Sequence, residues 1–210
     1  MTHKDLQDLV ASALAELRQE SADSPVPNIV SLQSLGSREV FDEASRLCDA
    51  DDSLQRELGV RILRELGPQD SEGRRTYSDE AIPLLLEMLK NEIDPGMTRR
   101  ILQALAFNSA REAISEFTTR ANHPDPGVRE TIAFQLPSLS TPATLGLVAD
   151  TVKAMTQDLD PDVRYYALYA LFEPEEGLGL DDQERHQLAK QFLRDPDRQI
   201  QTYARKILAT

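Results

Sequence analysis

The protein has 210 residues, of which 40% are hydrophobic and 28% are charged, a composition typical of a globular chain that is long enough to bury a sizeable core. Its formal net charge of -13 argues against phosphate backbones and anionic membranes as ligands, since both attract fields of Lys and Arg, and it favours a basic partner. The single cysteine, Cys48, excludes an intramolecular disulfide framework and suits a reducing compartment, and we expect it to be a buried thiol near a helix end.

The first 36 residues are predicted to form a cap ahead of the main domain. They contain an amphipathic helix from about Thr2 to Glu20, a linker "SADSPVPN" and a short segment from Ile29 to Leu35. The N-terminus carries acidic residues without an apolar leader, and the longest apolar run in the chain is too short to cross a bilayer. We therefore expect a cytoplasmic protein with one continuous domain over residues 37–210.

Five segments from Asp51 onward share one pattern, an Asp followed at three, seven and eleven residues by an apolar side chain. Apolar residues with this spacing form one face of an α-helix. The Asp residues lie 31 to 43 positions apart, and three of them precede a Pro, which is typical of a capped helix start. The predicted core triplets are Leu54/Leu58/Ile62, Met97/Ile101/Leu105, Val128/Ile132/Leu136, Val163/Ala167/Leu171 and Ile200/Ala204/Leu208.

Another amphipathic helix is predicted directly before each Asp-led segment. The five stretches are "SREVFDEASRLC", "SDEAIPLLLEMLK", "AREAISEFTTRA", "TPATLGLVADTVKAM" and "DDQERHQLAKQFLR". Ser37, Ser78, Thr141 and Asp181 are the predicted N-caps, and Glu184 completes a capping box after Asp181. The sequence thus predicts an all-α fold of about five helical hairpins.

The second helix of each hairpin, as in "DPGVRETIAFQL" and "DPDVRYYALYAL", resembles the HEAT-repeat family, including bacterial HEAT-like proteins related to phycobilisome lyases. The resemblance spans about Ser37 to Thr210, and Asp-x-x-Val-Arg is its most specific element. It implies a right-handed α-solenoid in which Asp125, Arg129, Asp160 and Arg164 belong to a ladder that supports the stacking of hairpins. The other three hairpins replace the ladder arginine, with Gln55, Thr98 and Gln201.

Four aromatic residues are predicted to gather on the concave side of such a stack. Side chains at equal offsets in successive second helices become neighbours, which brings together Phe134, Tyr166, Tyr169 and Tyr203. Tyrosine is enriched at protein interfaces, although aromatic residues at this spacing more often serve as packing between repeats. Because "YYALY" spreads three tyrosines over nearly half of the helix circumference, at least one of them should reach the surface.

Acidic residues flank the same region and favour a partner protein with a basic surface. Glu130, Glu173, Glu175 and Glu176 are the predicted acidic surround, and the alternative is that they are solvated residues of a loop and of helix starts. We predict a non-catalytic protein-binding module that uses the concave face. A more specific hypothesis is an immunity or regulatory protein that neutralises a basic toxin or nuclease.

Nucleic-acid binding and catalysis are the competing predictions. A local basic stripe would suit a DNA-binding protein or a DNA-repair enzyme of the alkylpurine glycosylase type, although such enzymes use tryptophan, which this chain lacks. A phycobilin-lyase-like chaperone would share only the repeat architecture. Asp182 and His186 have the spacing of a surface pair, and no nucleophile elbow, Walker sequence or Cys/His cluster appears, so we predict no catalytic residue, metal or cofactor. The stripe consists of Arg56, Arg61, Arg64, Arg99 and Arg100.

Overall fold

The computed structural model describes residues 2–19, 25–173, 178 and 180–209. Over these ranges the chain is all-helical, as predicted, and its one β interaction is an isolated bridge between Gln69 and Arg75. Two short 3-10 segments, Arg111–Ala113 and Leu136–Leu139, accompany the α-helices. The α-helices are α1 (His3–Gln19), α2 (Pro27–Leu35), α3 (Arg38–Cys48), α4 (Ser53–Arg64), α5 (Ser78–Asn91), α6 (Pro95–Phe107), α7 (Ile114–Thr119), α8 (Pro126–Gln135), α9 (Leu145–Met155), α10 (Pro161–Phe172), α11 (Asp182–Phe192) and α12 (Arg198–Leu208).

Contacts between Cα atoms divide the chain into a first unit, Met1–Ala110, and a second unit, Arg111–Thr210. In the first unit, α3 packs against α4 and α5 packs against α6, so that each pair is a hairpin of the predicted kind. Helices α4 and α6 contact each other. Helices α1 and α2 pair with each other, and both also pack on α4. The N-terminal helices therefore share the core of the first hairpin.

The second unit contains two helix pairs of the same kind. Helix α9 packs against α10, and α11 packs against α12. Helix α10 also contacts both α8 and α12. Three second helices, α8, α10 and α12, are therefore neighbours within this unit, and side chains at equal positions on them come close together.

Aspartate caps begin the second helices, as the Asp-led pattern predicts. The side chains of Asp94, Asp125, Asp160 and Asp197 each accept a hydrogen bond from the backbone N–H three residues later. The capping box between Asp181 and Glu184 is also present at the start of α11. The first of the five helices differs by one residue from the prediction, because Asp52 rather than Asp51 accepts the capping bond, from the N–H of Gln55.

Two first helices begin differently from the prediction because their hydroxyl side chains have other partners. Ser78 is the first residue of α5 rather than its cap, and its buried hydroxyl donates to the side-chain oxygen of Asn108. Thr141 and Thr144 bond to each other in a turn, which delays the start of α9 to Leu145. The predicted N-cap Ser37 precedes α3 but makes no side-chain capping bond.

The predicted apolar triplets supply the core. All of their side chains are buried except Leu54 and Leu208, which are half-buried. Helices α3 and α4 approach closely at Gly59, where an added Cβ would lie 2.7 Å from the carbonyl oxygen of Ala44 and 2.8 Å from Cys48 Sγ. Cys48 is buried at the end of α3, as predicted, and burial raises the pKa of its thiol to about 12, so the thiol is protonated and unreactive in the folded protein.

Candidate functional site

The four aromatic residues singled out in the sequence lie in one connected cluster of the second unit. Phe134 on α8 meets Tyr166 on α10 edge to face, with ring centroids 5.3 Å apart. Tyr169 on α10 stacks with Tyr203 on α12 at 6.4 Å. The two pairs are joined by Tyr165, whose ring lies 5.5 Å from both Tyr166 and Tyr203. We call these five residues on three neighbouring helices the aromatic strip.

Tyr165 was not among the aromatic residues predicted to cluster, although its position in the sequence indicates that it belongs to them. It lies four residues before Tyr169, so both are on one face of α10. Its position relative to the capping Asp160 equals that of Glu130 relative to Asp125. The predicted cluster consists of residues three or six positions after the first core residue of a second helix, and Tyr165 is at neither position.

The strip is exposed at one end and buried at the other. The Phe134 side is open, with 44% of the residue accessible, whereas Tyr203 is only 8% accessible. Tyr165, Tyr166 and Tyr169 are half-buried, so more than one of the three reaches the surface, as the sequence predicts. Tyr203 serves mainly as packing, and the buried ring of Phe172 lies behind it at 6.1 Å. Some of these aromatic residues are thus accessible to a partner, whereas Tyr203 serves as packing between helices.

Tyr203 is fixed by a hydrogen bond as well as by packing. Its hydroxyl donates to Glu173 Oε1 over 3.0 Å. Burial, together with the neighbouring charge of Glu173, raises the pKa of Tyr203 well above its ordinary value. Glu173 is the C-cap residue of α10, and its backbone N–H donates to the carbonyl of Tyr169. The predicted acidic residue Glu173 therefore acts within the strip, as an acceptor.

A groove of about 570 Å³ opens between α10 and α12 beside the strip. Its size lies in the range of ligand-binding clefts. Its charged members include two cations on α12, Arg198 and Lys206, which the sequence-based acidic surround did not contain. Both are exposed, and neither makes an ion pair with any residue that the structure describes. The groove is lined by Tyr165, Tyr169, Glu173, Arg198, Gln199, Thr202, Tyr203 and Lys206.

The opposite end of the strip is acidic. Glu130 precedes Phe134 by one helical turn on α8, and Asp162 precedes Tyr166 by one turn on α10. Burial, followed by the charges of Glu130 and Asp162, raises the pKa of the Tyr166 hydroxyl. The other two acidic residues of the prediction, Glu175 and Glu176, lie outside the described residues.

The predicted ladder residues have two different roles. The aspartates cap helices, whereas the arginines form ion pairs with the next hairpin, which we call rungs. Asp125 and Asp160 cap α8 and α10, whereas the ladder carboxylates are Asp158 and Asp195. The guanidinium of Arg129 binds Asp158 through two nitrogens at 2.7 and 2.8 Å. A second rung has the same geometry. In that rung Arg164 binds Asp195 at 2.9 and 2.8 Å. In the sequence, both rung carboxylates stand two residues before a capping aspartate, in the spacings Asp158-x-Asp160 and Asp195-x-Asp197.

Each rung arginine also donates hydrogen bonds to the turn that precedes its own helix. Arg164 Nη1 donates to the carbonyl oxygens of Asp158 and Leu159, and Arg129 Nη1 donates to those of His123 and Pro124. The hydrogen bond from Arg129 is the main cause of a lowered pKa at Asp158. At Asp195, burial raises the pKa, but the bonds from Arg164 and from the Asp197 N–H outweigh it and lower the pKa overall.

Because α4 is capped by Asp52 and not by Asp51, an arginine occupies the ladder position of this helix. Counting from Asp52, the fourth residue is Arg56 rather than Gln55, and its Nη1 donates to the carbonyls of Ala50 and Asp51 as the rung arginines do to theirs. At the same position of α12, Gln201 Nε2 donates to the Asp195 carbonyl. Thr98 on α6 instead donates its hydroxyl to the Asp94 carbonyl, so the substituted positions keep only local bonds.

Three of the five arginines in the basic stripe predicted for DNA binding form ion pairs within the first unit. Arg61 and Arg100 both pair with Glu57, at 3.4 and 2.8 Å. Arg64 pairs with Glu65 and also lies over the ring of Phe107. These arginines therefore have carboxylate partners on the protein itself, which reduces the field that they would present to a phosphate backbone.

Asp182 and His186 line a separate groove of about 450 Å³ with Arg185 and Lys206. Nowhere in the described ranges do three or more His, Cys, Asp or Glu side chains converge as a metal site would need. Among the helices that the structure describes, none has both the length and the apolar character needed to span a membrane.

Comparison with known proteins gives a likeness in fold. No protein-family model matches the chain, and no curated protein matches it. Among solved structures, the crystal structure of an engineered protein resembles it with a TM-score of 0.59, covering 100% of this chain and 96% of that one. The two sequences are 17% identical, and at that level the likeness concerns the fold alone.

Proposed function

We propose that this protein is a non-catalytic binding module that holds a partner protein on the aromatic strip. The observation that carries the proposal is the continuous contact of five aromatic rings across α8, α10 and α12, with an open end at Phe134 and an adjoining groove. A few anchor residues supply most of the binding energy at protein interfaces, and tyrosine is enriched among them. The tyrosine hydroxyls and flanking charges add the polar rim that such interfaces have.

The architecture behind this function is, in our proposal, a right-handed HEAT-like solenoid of about five hairpins with the strip on its concave face. The two rungs of the second unit support it, because they join equal positions of successive hairpins, as expected of stacked repeats. The net charge of -13 supports a partner with a basic surface. We propose an immunity or regulatory role in the cytoplasm, in which the module covers a basic partner.

The test is capture of a partner from the native host with the wild-type protein and with a Phe134→Ala/Tyr166→Ala variant. Mass spectrometry should identify a protein retained by the wild type and lost with the variant. With the purified partner, calorimetry should show an affinity at least about 30-fold lower for the variant, since removal of an interface anchor costs about 2 kcal/mol.

A matched control is Phe107→Ala in the first unit. Phe107 and Phe134 are both phenylalanines near the end of a second helix, with 37% and 44% of the residue exposed. Capture by Phe107→Ala should equal capture by the wild type, and circular dichroism should show that all variants keep their helicity. Equal affinity of the wild type and the double variant for the partner would refute the strip as the binding site.

A further inference from the structure

We infer that the aromatic strip is charge-polarised and binds an extended partner segment in one orientation, with a Lys or Arg over its α8 end and a carboxylate over its α12 end. This inference rests on the proposed function and deepens it, because it specifies the chemistry of the segment that is bound. It also limits the expectation of a basic partner, since an acidic side chain is required at one end of the contact.

The α8 end combines an exposed ring with two carboxylates. Phe134 presents an accessible ring, packed edge to face on Tyr166, and Glu130 and Asp162 each lie one helical turn from one of these rings. Burial is the main cause of the raised pKa of Tyr166, and the charges of Glu130 and Asp162 raise it further. Aromatic faces bordered by carboxylates bind guanidinium and ammonium groups through cation–π attraction and ion pairing together.

The α12 end has the opposite character. Arg198 and Lys206 border the groove, and the described carboxylate there, Glu173, already accepts a hydrogen bond from the hydroxyl of Tyr203. Among the described residues, the lining of this groove thus contains two cations and one carboxylate, in a protein of net charge -13. A carboxylate of the partner complements it, whereas a cation would meet like charge.

Residues at equal positions on the three helices also change from negative charge on α8 to positive charge on α12. The fifth residues after the capping aspartates carry a negative charge on α8 and none on α10 or α12, and the ninth residues carry a positive charge on α12. The uncharged middle consists of Tyr165 and Tyr169, which suit an apolar or aromatic side chain of the partner. The fifth residues are Glu130, Tyr165 and Thr202, and the ninth residues are Phe134, Tyr169 and Lys206.

The geometry also sets the length of the segment. From Phe134 to Tyr203 the rings are linked in three steps of 5.3, 5.5 and 5.5 Å. At about 3.3 Å per residue, an extended chain crosses this path in about five residues. The cation and the carboxylate of the partner should therefore be separated by about that number of residues.

The test uses a phage library of random dodecapeptides, selected on the wild-type protein and counter-selected on Phe134→Ala/Tyr166→Ala. Enriched peptides should carry Lys or Arg on one side of an apolar or aromatic residue and Asp or Glu on the other. For such a peptide, Glu130→Lys/Asp162→Lys should lower the affinity about 10-fold or more, and exchanging the basic residue of the peptide for Glu should restore it.

The complementary variant is Arg198→Glu/Lys206→Glu, which should be rescued by exchanging the peptide's acidic residue for Lys. Asp150→Lys, at an exposed carboxylate of α9 outside the strip, should leave the affinity unchanged. Peptides that need the strip but show no separation of charge, or that tolerate both charge reversals, would overturn this inference and leave the proposed function standing. A selection that yields no peptide dependent on Phe134 and Tyr166 would overturn both.

Discussion

The two units differ in the most buried polar contacts that join neighbouring hairpins. In the second unit the ties are ionic and lie at the N-terminal ends of the second helices, as in the pair of Arg164 with Asp195. In the first unit a neutral tie lies at the C-terminal ends, where Asn108 Nδ2 donates to the carbonyl of Leu63 at 3.0 Å. The Asn108 side chain also donates to Ala104 and accepts from Ser78, so the network is closed.

This difference shows that one hairpin plan admits two ways of holding its neighbour. At the rung position of α6, Thr98 is too short to reach another hairpin and bonds only to its own turn. The neutral network supplies a tie that needs no ladder arginine. The first unit also has a more exposed ion pair between its hairpins, Arg100 with Glu57, whereas the second unit leaves Arg198 and Lys206 available at the strip.

The largest effect is expected from breaking an ionic tie. Arg164→Ala leaves the carboxylate of Asp195 buried without its cation, and loss of one partner of a buried ion pair costs about 4 kcal/mol. The side chains of Arg164 and Asp195 are only 10% and 5% exposed, so water compensates little. Urea unfolding followed by near-ultraviolet circular dichroism measures the loss, because four of the five tyrosines lie in the second unit and there is no tryptophan.

The matched control is Arg194→Ala, which removes an exposed arginine that forms no ion pair among the described residues. It should change the free energy of unfolding by less than about 0.5 kcal/mol. If Arg164→Ala changed the free energy of unfolding equally little, the rung would contribute no more than a surface ion pair. The contrast between the two units would then have no energetic basis.

A smaller loss is expected from the neutral tie. Asn108→Ala leaves the hydroxyl of Ser78 and the carbonyl of Leu63 without this partner in a buried site, at a cost of about 3 kcal/mol in the free energy of unfolding. Cys48 reports on the first unit, since its thiol reacts with a disulfide reagent only after unfolding lowers its pKa from about 12 toward the ordinary value. Thiol labelling at increasing urea should therefore begin at a lower concentration in the variant.

Asn91→Ala is the control for this substitution. Asn91 is exposed at the end of α5, and its side-chain nitrogen bonds to the carbonyl of Glu87. Labelling of Cys48 in this variant should follow the wild-type curve. An unchanged curve for Asn108→Ala would mean that the polar network contributes little to the stability of the first unit.

The helix starts and the core were predictable because they depend on local chemistry. An aspartate cap acts within three residues, and an apolar stripe depends only on helical spacing, so Asp94, Asp125 and Asp160 could be assigned from the sequence. The one-residue error at Asp51 has the same origin, because two adjacent aspartates offer equivalent caps and packing selects between them. That error also hid the ladder position of Arg56.

The rungs and the charge of the strip were harder to predict because they depend on distant residues. Arg129 reaches Asp158 across 29 positions, and no local rule selects that partner among the many acidic residues of the chain. The predicted acidic surround followed the net charge of the whole chain. The cations Arg198 and Lys206 belong to the strip only because α12 packs beside α10.

The smallest effect that distinguishes the units is their response to acid. The pKa values of Asp158 and Asp195 are lowered in the folded protein, so between the folded and unfolded pKa values the unfolded chain binds more protons. The stability from these carboxylates is complete above the unfolded pKa of about 3.9 and is lost as the pH falls through the folded values. The neutral tie at Asn108 has no such dependence.

Urea midpoints from the tyrosine signal should therefore decline as the pH is lowered below about 4, and Asp158→Asn/Asp195→Asn should reduce that decline while lowering stability at neutral pH. The stability lost on acidification should be smaller than that lost in Arg164→Ala, because Arg164 keeps its hydrogen bonds to the carbonyls of Asp158 and Leu159 when Asp195 is protonated. Asp150→Asn, at an exposed carboxylate of α9, should keep the wild-type pH dependence. An equally steep decline in the double variant would place the acid sensitivity on other carboxylates and remove the rungs as its cause.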